Sequence, residues 1–197
     1  MQKKVSLLAL LGGLIIAASS FAADDPPTPR MLSNACAGCH GTNGVSTGPA
    51  IPTIAGIDAD YFVAAMQGYK KDEWASTVMG RLAKNYSDSQ ITAMGQFFSE
   101  QKFVPAHQLV DGRKVRLGQV LHKQHCEKCH EDAGASSEGA GVLAGQWMPY
   151  LRATLHDYIS GTRPMSKNME AKIDAVLKEH QQAGIEALVH FYGSKSN

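Results

Sequence analysis

Beyond its N-terminus, the 197-residue sequence has no apolar run that approaches the length of a membrane-spanning helix, about 20 residues. It also lacks an excess of basic residues, with 19 lysines and arginines against 18 acidic residues. Domains that bind nucleic acid normally carry a concentrated basic face, so we expect no nucleic-acid partner. Runs of alternating polar and apolar residues, which indicate β-strands, are missing as well. These absences favour an all-α protein.

The one long apolar run lies at the N-terminus. Two lysines precede an apolar stretch over 5–18, and small residues follow it before an acidic pair. This order is typical of a secretory signal peptide, and the stretch is shorter than a membrane anchor requires. We predict a signal peptide over 1–22, cleavage after Ala22 and export to the periplasm. The mature chain then has 17 basic and 18 acidic residues, a net charge near −1.

Cysteine is scarce, and all four cysteines belong to a repeated motif, "CAGCH" at 36–40 and "CEKCH" at 126–130. Cys-x-x-Cys-His is the attachment sequence of c-type heme. Two thiols one helical turn apart reach the vinyl groups on one edge of the porphyrin, and the next residue turns its imidazole onto the iron. We predict two covalently bound hemes c, held by Cys36 and Cys39 with His40, and by Cys126 and Cys129 with His130.

Other uses of paired cysteines fit this sequence less well. Two disulfides are the ordinary expectation in an exported protein, and a thioredoxin-like redox pair prefers a βαβ setting that a helical chain does not offer. A zinc site built from the four thiols would leave the histidine after each pair unexplained.

The repetition extends beyond the cysteines and predicts a duplicated helical unit. Residues 53–69 align without a gap on residues 142–158, with shared Ala, Gly and Tyr positions. We predict helices over 30–39, 58–68 and from Ser87 onwards in the first unit, and over 116–129, 148–160 and up to Tyr192 in the second. Asp58 suits a helix N-cap, and "SDSQ" after Tyr86 suits a capping box. The predicted division is 1–22 signal peptide, 23–101 first domain, 102–114 linker and 115–197 second domain.

In an electron-transfer heme, a second axial ligand occupies the sixth coordination position of the iron, and methionine is the ligand that we expect here. In the first unit we predict Met79, because the other nearby methionines fall within predicted helices. In the second unit we predict Met165, which follows Pro164, with Met169 as the alternative. None of the remaining histidines recurs in both halves, so we expect these histidines on the surface or in local hydrogen bonds.

Residues around the hemes suggest further roles. We expect the carbonyl of Pro49 to accept the second imidazole proton of His40; the second loop contains no proline, so another carbonyl should serve His130. Arg81 and Arg163 each lie two residues from a predicted ligand and either bind heme propionates or remain solvated. Trp74 and Trp147 are expected to pack against porphyrin or between the domains.

The most specific stretches are "NACAGCHGTNGVSTGPA", "ASTVMGRLAKNYS", "HCEKCH", "LAGQWMPYL" and "RPMSKNM". They make the chain resemble diheme cytochromes of the cytochrome c4 type, and more closely the diheme cytochrome subunit of flavocytochrome c sulfide dehydrogenase. The resemblance implies two tandem class I cytochrome c domains, related by a pseudo-twofold axis, whose heme propionates face one another. It also implies a flavoprotein partner that carries FAD and oxidises sulfide, and a soluble acceptor such as a small cytochrome c.

Three functions follow as hypotheses. The chain is the electron-transfer subunit of a sulfide dehydrogenase, a free diheme shuttle to a terminal oxidase or reductase, or a diheme peroxidase with one open iron. It has no spare cysteine and no dinucleotide fingerprint, so we expect no catalysis of sulfide oxidation by the chain alone.

Overall fold

A computed structural model describes residues 26–136 and 139–195. The predicted signal peptide lies outside these ranges. Regular structure in the described residues is helical throughout, which confirms the predicted fold class. None of their helices combines the length and the apolar character that a membrane crossing requires.

The first half contains helices α1 to α5. Their bounds are Pro29–Asn34 for α1, Ala37–His40 for α2, Ala59–Lys70 for α3, Met79–Ala83 for α4 and Asp88–Ser99 for α5, with a 3₁₀ turn at Thr42–Gly44. The predicted single helix over 30–39 is therefore two helices. The chain tightens between them, because the N–H groups of Ala35 and Cys36 bond to carbonyls three residues back.

The second half contains helices α6 to α9. Their bounds are Gly112–Leu121 for α6, Glu131–Gly134 for α7, Met148–Ile159 for α8 and Lys167–Gly193 for α9, with a π-helical turn at His122–Cys126. Helix α6 begins four residues before its predicted start, because the Asp111 side chain caps the N–H groups of Arg113 and Lys114. Helix α9 is interrupted at Gln181, whose φ is 52°.

Two predicted helix starts are confirmed in atomic detail. Asp58 caps α3 by accepting a hydrogen bond from the Tyr61 N–H at 2.8 Å. Ser87 and Gln90 form the reciprocal capping box of α5. One face of α5 is buried at Ile91, Met94 and Phe98, while Phe97 is partly buried.

Each half has its own apolar core. The first core contains Phe62, Met66, Ile91, Met94 and Phe98. The second contains Leu121, Leu151, Val176, Leu188 and Phe191. Helix α6 packs closely on α9, since a β-carbon at Gly118 would lie 2.1 Å from the Ala187 carbonyl oxygen. Only glycine at position 118 therefore permits this helix contact.

Backbone hydrogen bonds repeat from one half to the other. In each half, the residue four positions after the motif histidine has a carbonyl that accepts two N–H groups from the following loop. In the first half the Gly44 carbonyl accepts from Ile54 and Ala55. In the second half the Gly134 carbonyl accepts from Leu143 and Ala144. The next residue of each loop then bonds to the last long helix of its half, Gly56 to the Phe98 carbonyl and Gly145 to the Tyr192 carbonyl. The two halves are thus built on one plan.

Candidate functional site

The first Cys-x-x-Cys-His motif forms the single turn of α2. Cys36 precedes this turn and its carbonyl accepts the His40 N–H at 2.8 Å, so the two thiols and the imidazole sit around one helical turn. Cys36 is half-buried and Cys39 is exposed, and neither forms a disulfide. Burial raises the pKa of the Cys36 thiol. This arrangement has the spacing that covalent attachment of a c-type heme requires.

His40 is held by the carbonyl of Pro52, and the expectation for Pro49 is wrong. The His40 Nδ1 lies 2.9 Å from the Pro52 oxygen and donates to it, since a carbonyl only accepts. The loop turns tightly over 46–48, through bonds of the Ser46 hydroxyl with Gly48. The chain therefore returns to the imidazole three residues later than expected. Pro52 directly precedes the repeated segment 53–69, which is the signal that identifies it in the sequence.

The environment of His40 suits an iron ligand. Burial lowers the pKa of His40, and the hydrogen bond to Pro52 opposes this change. The imidazole is thereby kept neutral, with its proton on Nδ1 and a lone pair on Nε2. An uncharged nitrogen with a fixed tautomer is what a metal requires of histidine.

The second motif lacks this hydrogen bond. His130 Nδ1 is buried and has no hydrogen-bond partner among the described residues, so the expected substitute carbonyl is not found there. In the ungapped alignment the residue equivalent to Pro52 is Gly141. Burial lowers the pKa of His130, and nearby His122 adds to this effect. The two motif histidines therefore differ in the partner of their second ring nitrogen.

Other histidines have structural contacts. His122 is buried in the π-helical turn, where its Nδ1 lies 3.0 Å from the Tyr192 hydroxyl and its ring packs against Phe191. His190 accepts a hydrogen bond from the Asp111 N–H at 3.1 Å. Both histidines are buried, and their hydrogen-bond partners lie 70 and 79 positions away in the sequence, so the expected surface position or local hydrogen bond is wrong for these two.

A large cavity adjoins the second motif. Its volume is about 780 Å³, its walls are mainly apolar, and its lining includes Cys126, Cys129 and His130. Both candidate methionines line it too, Met165 from the loop before α9 and Met169 from the first turn of α9. Thiols, an imidazole and a thioether around an apolar space are the groups that a c-type heme needs. The residues present fit this cofactor.

In the first half, Met79 and Cys36 pack against the same apolar core. Met79 is the first residue of α4 and is partly buried, and Cys36 contacts the same cluster around Phe62 and Met94. The chain thus brings a thioether and an attachment thiol to one core. Arg81 is exposed beside a shallow cleft that also includes Asp72, so its solvated alternative fits the structure.

The two halves meet along the same cavity, which is also lined by Tyr61 and Trp74 of the first half. Gln146 makes a reciprocal pair with the backbone of Thr53: its Oε1 accepts the N–H at 3.0 Å and its Nε2 donates to the carbonyl at 2.9 Å. Trp147 donates from Nε1 to the Ser46 carbonyl at 3.2 Å. The boundary is therefore hydrogen-bonded as well as apolar, and it confirms Trp147 as an interdomain contact.

Arg163 lies at the centre of this boundary and is 5% exposed. It donates to the Tyr61 hydroxyl at 2.8 Å, and its guanidinium lies 4.2 Å from the ring centre of Trp74 and 4.9 Å from that of Tyr158. Burial raises the pKa of Tyr61, and burial raises that of Tyr69 to about 12. The surrounding phenols are therefore neutral at ordinary pH.

Two helical halves of one plan, each with a Cys-x-x-Cys-His turn and a methionine near its core, define a tandem two-heme cytochrome c. The sequence pattern of the cytochrome c family matches residues 30–102. Cytochrome c-552 of Acidithiobacillus ferridurans is 30% identical over 80% of this chain and 74% of its own length. Cytochrome c4 of Pseudomonas aeruginosa is 29% identical over 81% of this chain and 82% of its own.

The chain belongs to the family of cytochrome c4-like diheme cytochromes c. Its fold matches the crystal structure of reduced cytochrome c4 from Pseudomonas stutzeri with a TM-score of 0.73, at 22% identity over 86% of this chain and 97% of that one. The chain is also 43% identical over 69 residues to the cytochrome subunit of sulfide dehydrogenase of Chlorobaculum tepidum. This shorter match covers 35% of this chain and 62% of that subunit. The protein is an electron carrier with two hemes c.

Proposed function

We propose that this chain is the cytochrome subunit of a periplasmic flavocytochrome c sulfide dehydrogenase. It accepts electrons from an FAD-containing subunit that oxidises sulfide and passes them to a soluble acceptor such as a small cytochrome c. The observation that carries this proposal is the 43% identity to a sulfide dehydrogenase cytochrome subunit, against 29% and 30% to relatives matched along most of the chain. The chain itself relays electrons and leaves sulfide chemistry to its partner.

The proposed heme sites follow the duplicated plan, within domains at 23–101 and 115–197. One heme is bound to Cys36 and Cys39 with His40 and Met79 on the iron. The other is bound to Cys126 and Cys129 with His130 and Met165 on the iron, and Met169 is the alternative to Met165. The bound hemes supply one-electron chemistry. The chain's residues anchor them, keep the imidazoles neutral and close the sixth position against small ligands.

The boundary between the halves supports a relay. The cavity that adjoins Cys126 and His130 is walled in part by Tyr61 and Trp74, which belong to the first half. A heme in this cavity would contact the first half directly, beside Pro52, whose carbonyl holds His40 of the first motif. Electrons that enter at one heme then have a short path to the other.

The surface around Met79 supports a protein partner. Val78 and Leu82, four residues apart at α4, are 51% and 45% exposed. Large apolar side chains exposed on either side of a proposed heme ligand suit contact with another protein. The partner required by the proposal is the FAD-containing subunit.

The alternative is a free diheme shuttle that delivers electrons to a terminal oxidase or reductase. The observation in its favour is the similarity to cytochrome c4 along 81% of this chain and 82% of that relative. The shuttle uses the same heme sites and the same relay, but it has no permanent flavoprotein partner.

The two functions are separated by purification of the native protein from the periplasm of its host. For the sulfide dehydrogenase we expect co-elution with a flavoprotein in a one-to-one complex, FAD in the purified fraction, and reduction of the hemes by added sulfide. Recovery of all the cytochrome as a monomer that sulfide does not reduce supports the shuttle instead. Mass spectrometry of the same sample tests the predicted cleavage, with Ala23 expected as the first residue.

A further inference from the structure

One peptide group is hydrogen-bonded from both sides, by the first Cys-x-x-Cys-His motif and by the second half of the chain. This group joins Pro52 to Thr53. Its carbonyl oxygen accepts from His40 Nδ1 at 2.9 Å, and its N–H donates to Oε1 of Gln146 at 3.0 Å. A chain of two hydrogen bonds therefore runs from the motif histidine, through one peptide unit, to a side chain 93 positions beyond Thr53.

The Gln146 amide is fixed in the orientation that these bonds require. Its Oε1 also accepts the Trp147 N–H at 3.2 Å, and its Nε2 donates to the Thr53 carbonyl at 2.9 Å. Rotation of the amide by a half turn would set its NH₂ group against two N–H donors and its oxygen against a carbonyl. Gln146 and Thr53 are both buried, so the amide oxygen stays on the Thr53 N–H.

The two bonds of the peptide group reinforce each other, because its N–H and its carbonyl belong to one conjugated unit. When the N–H donates to an acceptor, electron density shifts toward the carbonyl oxygen, which then accepts a proton more strongly. In a low-dielectric interior this cooperative strengthening amounts to about 10–30% per bond. The Pro52 carbonyl therefore holds the His40 proton more strongly with Gln146 in place than it would alone.

The second half has no counterpart of this arrangement among the described residues. In the ungapped repeat Gln146 aligns with Ile57, whose side chain has no polar group. Pro52 aligns with Gly141, and His130 Nδ1 has no hydrogen-bond partner there. The coupling therefore runs in one direction, from a side chain of the second half to the motif histidine of the first half.

We propose that Gln146 acts through this peptide group as a positioning residue and lowers the reduction potential of the first heme. An imidazole whose Nδ1 proton is held more strongly donates more electron density to the metal through Nε2. A stronger donor stabilises ferric over ferrous iron. The proposal rests on the proposed ligation of the first iron by His40, and it does not depend on the identity of the protein partner.

The test compares the first-heme potential of two Gln146 variants with that of the wild-type holoprotein, by spectroelectrochemical titration. Gln146→Leu removes the acceptor of the Thr53 N–H. We expect its oxidised-to-reduced ratio at a fixed potential to fall about threefold, equal to a rise of about 28 mV in the potential. Gln146→Glu keeps the acceptor, because a carboxyl oxygen accepts the N–H in either protonation state, so its potential should not rise.

Trp147→Phe is the matched control. It removes another hydrogen bond across the same boundary, from Trp147 Nε1 to the Ser46 carbonyl at 3.2 Å, but it leaves the peptide group between Pro52 and Thr53 intact. The potential of the first heme should stay at the wild-type value in this variant.

Three results would overturn the proposal. One is a Gln146→Leu holoprotein whose first heme keeps the wild-type potential. Another is an equal shift in Trp147→Phe, because a loosened boundary would then be the cause. The third is a Gln146→Glu potential raised as far as that of Gln146→Leu. If Gln146→Leu does not fold, Gln146→Asn takes its place, because the shorter side chain withdraws the acceptor and keeps the amide.

Proton NMR of the reduced, diamagnetic holoproteins follows the hydrogen bond itself. The His40 Nδ1–H resonance should move upfield in Gln146→Leu, since a weaker hydrogen bond leaves the proton more shielded, and it should stay in place in Trp147→Phe. An unmoved resonance in Gln146→Leu contradicts the proposal. If His40 is not the iron ligand, the wild-type His40 ring protons will lack the large upfield ring-current shifts of a heme-bound imidazole, which separates that failure from failure of the coupling.

Discussion

The guanidinium of Arg163 stacks on the ring of Trp74, 4.2 Å away, and the two residues occupy equivalent positions in the duplicated halves. The Trp74 N–H bonds to the Gly68 carbonyl and the Arg163 N–H to the Asp157 carbonyl, and Gly68 aligns with Asp157 in the ungapped repeat. The halves therefore meet through matching surfaces. Duplication made these surfaces alike, and divergence placed a cation on one side and an aromatic ring on the other.

The first prediction concerns the buried pair between Gln146 and Thr53. Gln146→Leu leaves the Thr53 N–H and carbonyl without partners at the boundary, and each unsatisfied buried group costs about 1–3 kcal/mol. We expect a lower free energy of unfolding in urea for the holoprotein. The control is Gln119→Leu, whose glutamine is exposed on α6; equal losses in both variants would exclude a stabilising role for the pair.

The second prediction concerns the Pro52 carbonyl, which accepts the His40 proton at 2.9 Å. Pro52→Gly frees the backbone at this point and weakens the hydrogen bond, so the imidazole donates less strongly to the iron. We expect a higher reduction potential for the first heme and no change at the second. Pro49→Gly is the control, since the Pro49 carbonyl is not the partner of His40. A shift in Pro49→Gly with none in Pro52→Gly would contradict the structure.

The third prediction concerns the proposed methionine ligands. Met79→Ala opens the sixth position of the first heme, so we expect the reduced variant to bind carbon monoxide at one heme, while the wild type binds none. Met165→Ala should open the second heme in the same way, and Met169→Ala should leave it closed. Carbon monoxide difference spectra count the open hemes. If Met169→Ala binds carbon monoxide at the second heme and Met165→Ala does not, Met169 is the ligand. Carbon monoxide binding by the reduced wild type would favour the peroxidase hypothesis.

The fourth prediction concerns His190 and acid stability. Its Nδ1 accepts the Asp111 N–H, and burial, followed by the charges of Lys114 and Arg152, lowers its pKa below 6.5. The unfolded chain then binds the proton more readily than the folded one. The contribution of neutral His190 to the free energy of unfolding is complete above pH 6.5 and is lost as the pH falls toward the folded-state pKa. The free energy of unfolding changes over this range by at most about 1.4 kcal/mol per pH unit.

His190→Gln tests this linkage, because the amide oxygen can still accept from Asp111 but does not titrate. Urea unfolding between pH 7 and pH 5 should show a weaker pH dependence in this variant than in the wild type. His156→Gln is the control, since the His156 side chain is 80% exposed. If both variants keep the wild-type slope, His190 is not responsible for the acid sensitivity.

Local sequence patterns predicted much of the fold. Asp58 and Ser87 act as helix caps at the expected residues, because a cap depends on atoms within three residues along the chain. Helix ends were less predictable near the motifs. The break after Asn34 and the π-helical turn at His122–Cys126 lie at the starts of the two Cys-x-x-Cys-His motifs, and tertiary packing overrides helix propensity there.

The cofactor class, the duplication and the helical character could be predicted without a structure, because motif spacing and periodicity are local properties of the chain. The folded chain was needed to show that the carbonyl of Pro52 rather than Pro49 accepts the His40 proton, and that Arg163 is buried against Trp74 while Arg81 is exposed. These two contacts join residues that are 12 and 89 positions apart in the sequence. Such pairings depend on how loops return and how the halves dock, which local sequence patterns do not specify.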